Sequence, residues 1–142
     1  MMADVQTIYE RAIYILGAED EGFVADSAKN RDYKSRTLAI INTLLYSLYP
    51  RLEELDARKE GVRPLAAPVT AFTDEIGLNE GAACAILPLG LAGHLVLEEN
   101  PAVAGYLLGS FETEAARFIR FAPAVPADIE DVYGGIPNGG GT

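Results

Sequence analysis

Two side chains of this sequence have types and a spacing that suit metal binding or acid–base chemistry. His94, the single histidine, precedes Glu98 by four residues, which places both on one face of a helix, one turn apart. A zinc site needs a third and usually a fourth ligand, but the chain has no second histidine and only one cysteine, Cys84. We therefore expect His94 to be a core residue hydrogen-bonded through its ring nitrogens.

No other catalytic pattern is visible in the sequence. It has no Gly-x-Ser-x-Gly nucleophile elbow, and its glycine clusters after residue 133 precede no predicted helix, as a phosphate-binding loop would require. Adjacent acids such as Asp74 and Glu75 point in different directions and are typical of solvated faces. The sequence predicts a protein that is not an enzyme and has no cofactor or metal, and catalysis by His94 and Glu98 is the weakest of three functional hypotheses.

The helix that would carry His94 is apolar on every side. The run from residue 85 to 101 is too short and too interrupted to cross a bilayer, so we expect a helix buried by other helices or by other subunits. Its proline should bend the helix, and its glycines should let another backbone approach closely. The predicted helix-packing interface comprises Pro88, Gly90, Gly93, His94 and Leu97.

Composition and charge limit the possible classes of protein. The chain has 142 residues, of which 49% are hydrophobic and 23% charged, as in a single globular domain. No signal peptide and no membrane-spanning segment are predicted, and one cysteine fits a reducing compartment. The net charge is −10: residues 1–63 carry 9 basic and 11 acidic side chains, whereas residues 64–142 carry 2 and 10. Sequence-specific nucleic-acid binding is therefore not expected, because it needs a dominant basic surface.

One basic cluster stands out against this acidic background. It consists of Lys29, Arg31, Lys34 and Arg36. It is either the solvated start of a helix or a surface that meets an acidic one, for example on a neighbouring subunit.

Helical periodicity dominates residues 1–121. Helices are predicted from Val5 to Leu16, with Gly17 as a stop, and from Tyr33 along a seam of Leu38, Ile41, Leu45, Leu48, Leu52 and Leu55. Pro50 should kink the second helix or begin a new one. Residues 17–32 should form a loop and residues 61–68 a connector. Residues 69–76 are short and irregular in pattern, and a strand is one structure they could form.

Two further helices are predicted by their caps. Asn79 should cap the apolar helix, and Asn100-Pro101 should start the last one, which runs to about Phe121. The packed side of that last helix is predicted to hold Val103, Tyr106, Leu107, Ser110, Phe111 and Phe118. The expected fold is mainly α: a small bundle of about four helices over residues 1–121, followed by an extended C-terminal arm over residues 122–142.

The arm combines helix-breaking residues with a few apolar anchors. Prolines and glycines at both ends of residues 122–142 disfavour a helix, and the intervening anchors are Ile129, Val132, Tyr133 and Ile136. An extended segment of this kind either docks onto another protein or folds back on its own helices.

Residues 75–136 resemble the head–tail connector (adaptor, or head-completion) proteins of tailed phages and prophages. The resemblance depends on the run from Leu87 to Pro101, on the aromatic-rich helix that follows it, and on the stretch Ile129 to Ile136. It implies a non-catalytic virion protein at the neck, assembled in the bacterial cytoplasm, whose copies form a ring between the portal and a tail or stopper protein. DNA would pass through that ring. The alternative is a small helical dimeric regulatory or binding protein, whose interface would be the Leu38 to Leu55 seam.

Overall fold

Four α-helices make up the described part of the chain. The computed structural model describes residues 3–18, 30–52 and 67–121, and within these ranges it contains no β-strand. The helices are α1 (Val5–Leu16), α2 (Arg31–Leu52), α3 (Glu80–Val96) and α4 (Pro101–Phe121). The predicted mainly α bundle of about four helices is thus confirmed, while the arm, residues 122–142, lies outside the described residues.

The first helix is fixed at both ends by local chemistry. Asp4 caps α1 by accepting a hydrogen bond from the backbone N–H of Thr7 at 2.8 Å, and this bond holds the pKa of the Asp4 carboxyl below its usual value. Gly17 ends the helix in the left-handed conformation, with φ of 66°, which is accessible to glycine without a steric penalty. Both predicted ends of α1 are confirmed.

Residues 67–79, here called the strap, follow α2 in the sequence and form hydrogen bonds to both α1 and α2. The backbone N–H groups of Val5 and Gln6, which have no partner within α1, donate to carbonyl oxygens of the strap at 3.0 and 2.9 Å. On its other side, the Asn42 side chain of α2 pairs with the backbone of Val69, donating at 2.9 Å and accepting at 2.8 Å. The strand considered for this segment is only a single antiparallel bridge between Asp4 and Glu75.

The middle of the α2 seam packs inside its own chain. Ile41, Leu45 and Leu48 are at most 1% exposed and belong to the core. The helix begins at Arg31, two residues before the predicted start, and continues through position 50 to Leu52, so no new helix starts at Pro50. A dimer interface along this seam would have to displace residues that are already buried.

The apolar helix α3 lies at the centre of the bundle. It contacts α1, α2 and α4, and only a few of its residues remain partly exposed. Asn79 caps it as predicted, accepting from the N–H of Ala82 at 3.3 Å. Leu87, Leu91 and Leu95 are at most 1% exposed, and each contributes about 1.5–3 kcal/mol through burial. The other helices of the same chain therefore supply the cover that the apolar sequence requires.

Polar contacts from α2 secure the corner between α3 and α4. The Arg36 guanidinium donates to the carbonyl oxygen of Leu95 at 3.1 Å, one of the acceptors that the end of α3 leaves free. The Tyr33 hydroxyl donates to the Glu99 carboxylate at 2.6 Å; burial, reinforced by this bond, raises the pKa of Tyr33 to about 12. Asn100 then caps α4 by accepting from the N–H of Val103 at 3.2 Å, so the predicted start of that helix is confirmed.

Candidate interaction surface

Gly90 and Gly93 of α3 both lie against side chains of α4. A Cβ atom added to Gly90 would come within 2.7 Å of Cδ1 of Phe111 and 3.0 Å of Cδ1 of Leu44. A Cβ atom added to Gly93 would lie 2.8 Å from Cγ of Leu108. Close approach at these positions was predicted, but the groups that fill the space are side chains of the same chain rather than another backbone.

The three remaining residues of the predicted packing interface have different surroundings. Pro88 is buried inside α3, whereas Leu97 lies in the turn after the helix and is 44% exposed. His94 is half-buried and lines a recess of about 170 Å³ with Ala39 and Thr43 of α2. The five residues thus do not share one surface: two glycines and the proline are internal, and Leu97 faces outward.

The possible pair of His94 and Glu98 is not assembled into a site. His94 lies against α2, while Glu98 is exposed in the turn that follows α3. Among residues 3–18, 30–52 and 67–121, no three His, Cys, Asp or Glu side chains are grouped so that they could hold a metal ion. Cys84 is half-buried and packs against the core.

The buried face of α4 differs from the predicted one. Val103 is 39% exposed and Tyr106 74% exposed, so their assignment to the packed side was wrong. Leu107, Phe111 and Phe118 do face the core as predicted, and the same buried row also contains Ala104, Leu108 and Ala115. The reason lies in α3, because the space at Gly90 and Gly93 accepts Phe111 and Leu108 and thereby sets the rotation of α4.

The opposite side of α4, here called the outer face, consists of Ala102, Gly105, Tyr106, Gly109 and Thr113. These residues are exposed, and no heavy atom of the described residues lies within 4 Å of a Cβ atom added to either glycine. Part of this face forms an open depression of about 440 Å³, lined by Gly105, Tyr106, Gly109, Ser110, Thr113 and Glu114. The sequence signal that could have revealed this face is the absence of any charge from Pro101 to Phe111.

The basic cluster at the start of α2 is partly engaged within the chain. Arg36 pairs with Asp32 at 3.0 Å, and the Lys34 ammonium lies 5.2 Å from the ring centre of Phe72. Arg31 is exposed, and Lys29 lies outside the described residues. These contacts lie within the chain, and both interpretations of the cluster, a solvated helix start and a surface that meets an acidic one, stay predictions.

The predicted anchors of the arm cannot be placed. Ile129, Val132, Tyr133 and Ile136 all lie outside the described residues.

No helix in residues 3–18, 30–52 or 67–121 is long and apolar enough to cross a membrane. No protein-family model, curated protein or solved structure matches this chain. The outer face of α4, which is exposed, is the main candidate interaction surface among the described residues.

Proposed function

We propose that the chain is a structural virion protein of a tailed phage or prophage, which forms a ring between the capsid portal and the tail and completes the DNA channel. It would act at the virion neck after assembly in the bacterial cytoplasm, with the portal and a tail or stopper protein as partners. The sequence resemblance over residues 75–136 is the basis of the proposal. Much of that region consists of α3, the corner and α4, which form the centre of the bundle.

The observation that supports this function best is the exposed outer face of α4. In the sequence, α4 is followed by the arm, residues 122–142, with its predicted apolar anchors. A ring subunit must contact a neighbour on each side and therefore needs apolar surface beyond that used in its own core. Most of α3 is covered within the chain, so this helix supplies little of that surface. Tyr106, at 74% exposed, and the glycines beside it do supply such a surface.

The charge distribution agrees with a conduit for DNA. Residues 64–142 carry 2 basic and 10 acidic side chains. A negatively charged lining repels the phosphate backbone, so that DNA would slide through the channel without binding tightly to it.

Electron microscopy of the chain mixed with a portal protein from the same genome would test the proposal. We expect a ring attached to the portal, and the ring should be lost in a variant with Val132→Ser and Tyr133→Ser. A matched variant with Ala124→Ser and Ala127→Ser, which changes the arm but not its anchors, should still assemble. A stable dimer that ignores the portal, or a gene neighbourhood without portal, capsid and tail genes, would contradict the proposal.

A further inference from the structure

We infer that residues 128–136 of the arm dock on the outer face of α4 of the same chain, in the free protein. This inference concerns the isolated chain and does not depend on the proposed ring. If the chain does act as a connector, the arm must leave α4 before its anchors bind another protein.

The outer face has the composition of a covered helix surface. A solvent-facing helix side normally carries charged residues, yet none occurs between Pro101 and Phe111. Gly105 and Gly109 each destabilise a helix interior by about 1 kcal/mol relative to alanine, and no described residue fills the space that they leave. Tyr106 stands beside this space. A shallow surface with an aromatic edge, uncharged apart from Glu114 at its margin, suits an extended segment with apolar side chains.

The arm is long enough for its anchors to reach the outer face of α4 in the same chain. Tyr106 lies 15 residues before Phe121, which corresponds to about 22 Å along the helix. Pro123 and Pro126 oppose continuation of the helix and allow the chain to reverse direction. Returning from position 126 at about 3.3 Å per residue, Tyr133 would arrive after about 23 Å, next to Tyr106. The short connection also gives the docking segment a high effective concentration at this face.

The charges of the arm agree with this direction. Asp128, Glu130 and Asp131 would pass α4 near its C-terminal half, about 7–17 Å from the turn. The Arg117 guanidinium lies in this half, is 60% exposed and forms a surface ion pair with Glu114 at 3.3 Å. An acidic residue of the arm could take the place of Glu114 as the ion-pair partner of Arg117, while Val132 and Tyr133 would reach residues 101–111, which carry no charge.

A tryptophan reporter tests the docking in the full chain. The sequence has no tryptophan, so Tyr106→Trp introduces a single fluorophore on the outer face. If at least half of the molecules are docked, acrylamide should quench it about twofold less than in the same protein with Val132→Ser and Tyr133→Ser. The matched arm changes Ala124→Ser and Ala127→Ser should leave quenching low. Equal quenching in all three proteins would overturn the inference.

A disulfide experiment distinguishes docking in the same chain from exchange between chains. In a Cys84→Ala background, Gly109→Cys is combined with Val132→Cys, and the control combines Tyr46→Cys, an exposed position on α2, with the same arm cysteine. We expect the first pair to close within one chain at least about tenfold faster than the control pair. Equal rates, or a product that links two chains, would overturn docking on the same chain.

Discussion

Two pairs of glycines in neighbouring helices of this protein have opposite surroundings. Gly90 and Gly93 of α3 face α4, where an added Cβ atom would lie 2.7–2.8 Å from side-chain atoms of Phe111 and Leu108. Gly105 and Gly109 of α4 face away from α3, and an added Cβ atom would meet nothing within 4 Å among the described residues. The first pair is therefore part of the packing of the bundle, and the second pair has no such role in it.

This difference explains which aromatic residue of α4 is buried. Phe111 is 5% exposed because Gly90 leaves room for its ring, whereas Tyr106 is 74% exposed on the side that α3 does not contact. Close packing across the α3–α4 contact thus selects one face of α4 and leaves the other available for a different partner.

Among substitutions that test the difference between the two glycine pairs, Gly93→Leu is expected to change the free energy of unfolding most. The new side chain must displace Leu107 and Leu108, and overfilling a packed core typically costs about 1–3 kcal/mol of unfolding free energy. Urea denaturation followed by circular dichroism measures this change. Gly105→Leu is the matched control; compared in a chain that carries Val132→Ser and Tyr133→Ser, whose arm is not expected to dock, it should not destabilise the bundle. A Gly93→Leu variant with the wild-type midpoint would mean that the α3–α4 contact is looser than described.

Alanine substitutions in the two glycine pairs are expected to change the free energy of unfolding by smaller amounts and in opposite directions. Gly90→Ala should lower the free energy of unfolding by about 1 kcal/mol, because the added methyl group overlaps the buried Phe111 ring. Gly109→Ala should raise it by up to about 1 kcal/mol, since alanine favours the helix and has space there. Thermal melts of both variants give the comparison, which fails if the two shifts have the same sign.

The contact between Gly90 and Phe111 is also open to a double-mutant test. Phe111→Leu removes the ring that an alanine at position 90 would meet. We expect Gly90→Ala to cost at least about 0.5 kcal/mol less in that background, because residues in contact are not additive. Additive effects in urea denaturation would show that the cost of Gly90→Ala arises elsewhere.

The smallest effect is expected at the corner that joins the two helices. The pKa of Tyr33 is raised to about 12, so the stabilisation linked to its protonated hydroxyl is complete below pH 10 and is lost as the pH rises towards 12. Tyr33→Phe should remove this alkaline dependence while costing only about 0.5 kcal/mol at neutral pH, since the bond to Glu99 is exposed. Stability measured from pH 8 to 12 tests this, with Tyr46→Phe as the control. An unchanged slope in Tyr33→Phe would contradict it.

Local sequence signals predicted the helices well where their ends depend on neighbouring residues. Asp4 was not identified as a cap in advance, but Gly17, Asn79 and Asn100 were, and each of these ends is confirmed. The start of α2 was misplaced by two residues, and of the two alternatives at Pro50, a kink or a new helix, the new helix is wrong because α2 continues to Leu52. The strap was harder to predict, because Asn42, 27 residues away, binds Val69.

The sequence by itself determined that the described part of the chain is helical and that α3 must be buried. These properties follow from composition, periodicity and caps, which act over a few residues. Only the tertiary structure decided what covers α3 and which face of α4 turns outward. Two rows of α4 have helical spacing, and the choice between them depends on the space at Gly90 and Gly93, which belongs to a different helix. Tyr106 was predicted to be inside and lies outside for this reason.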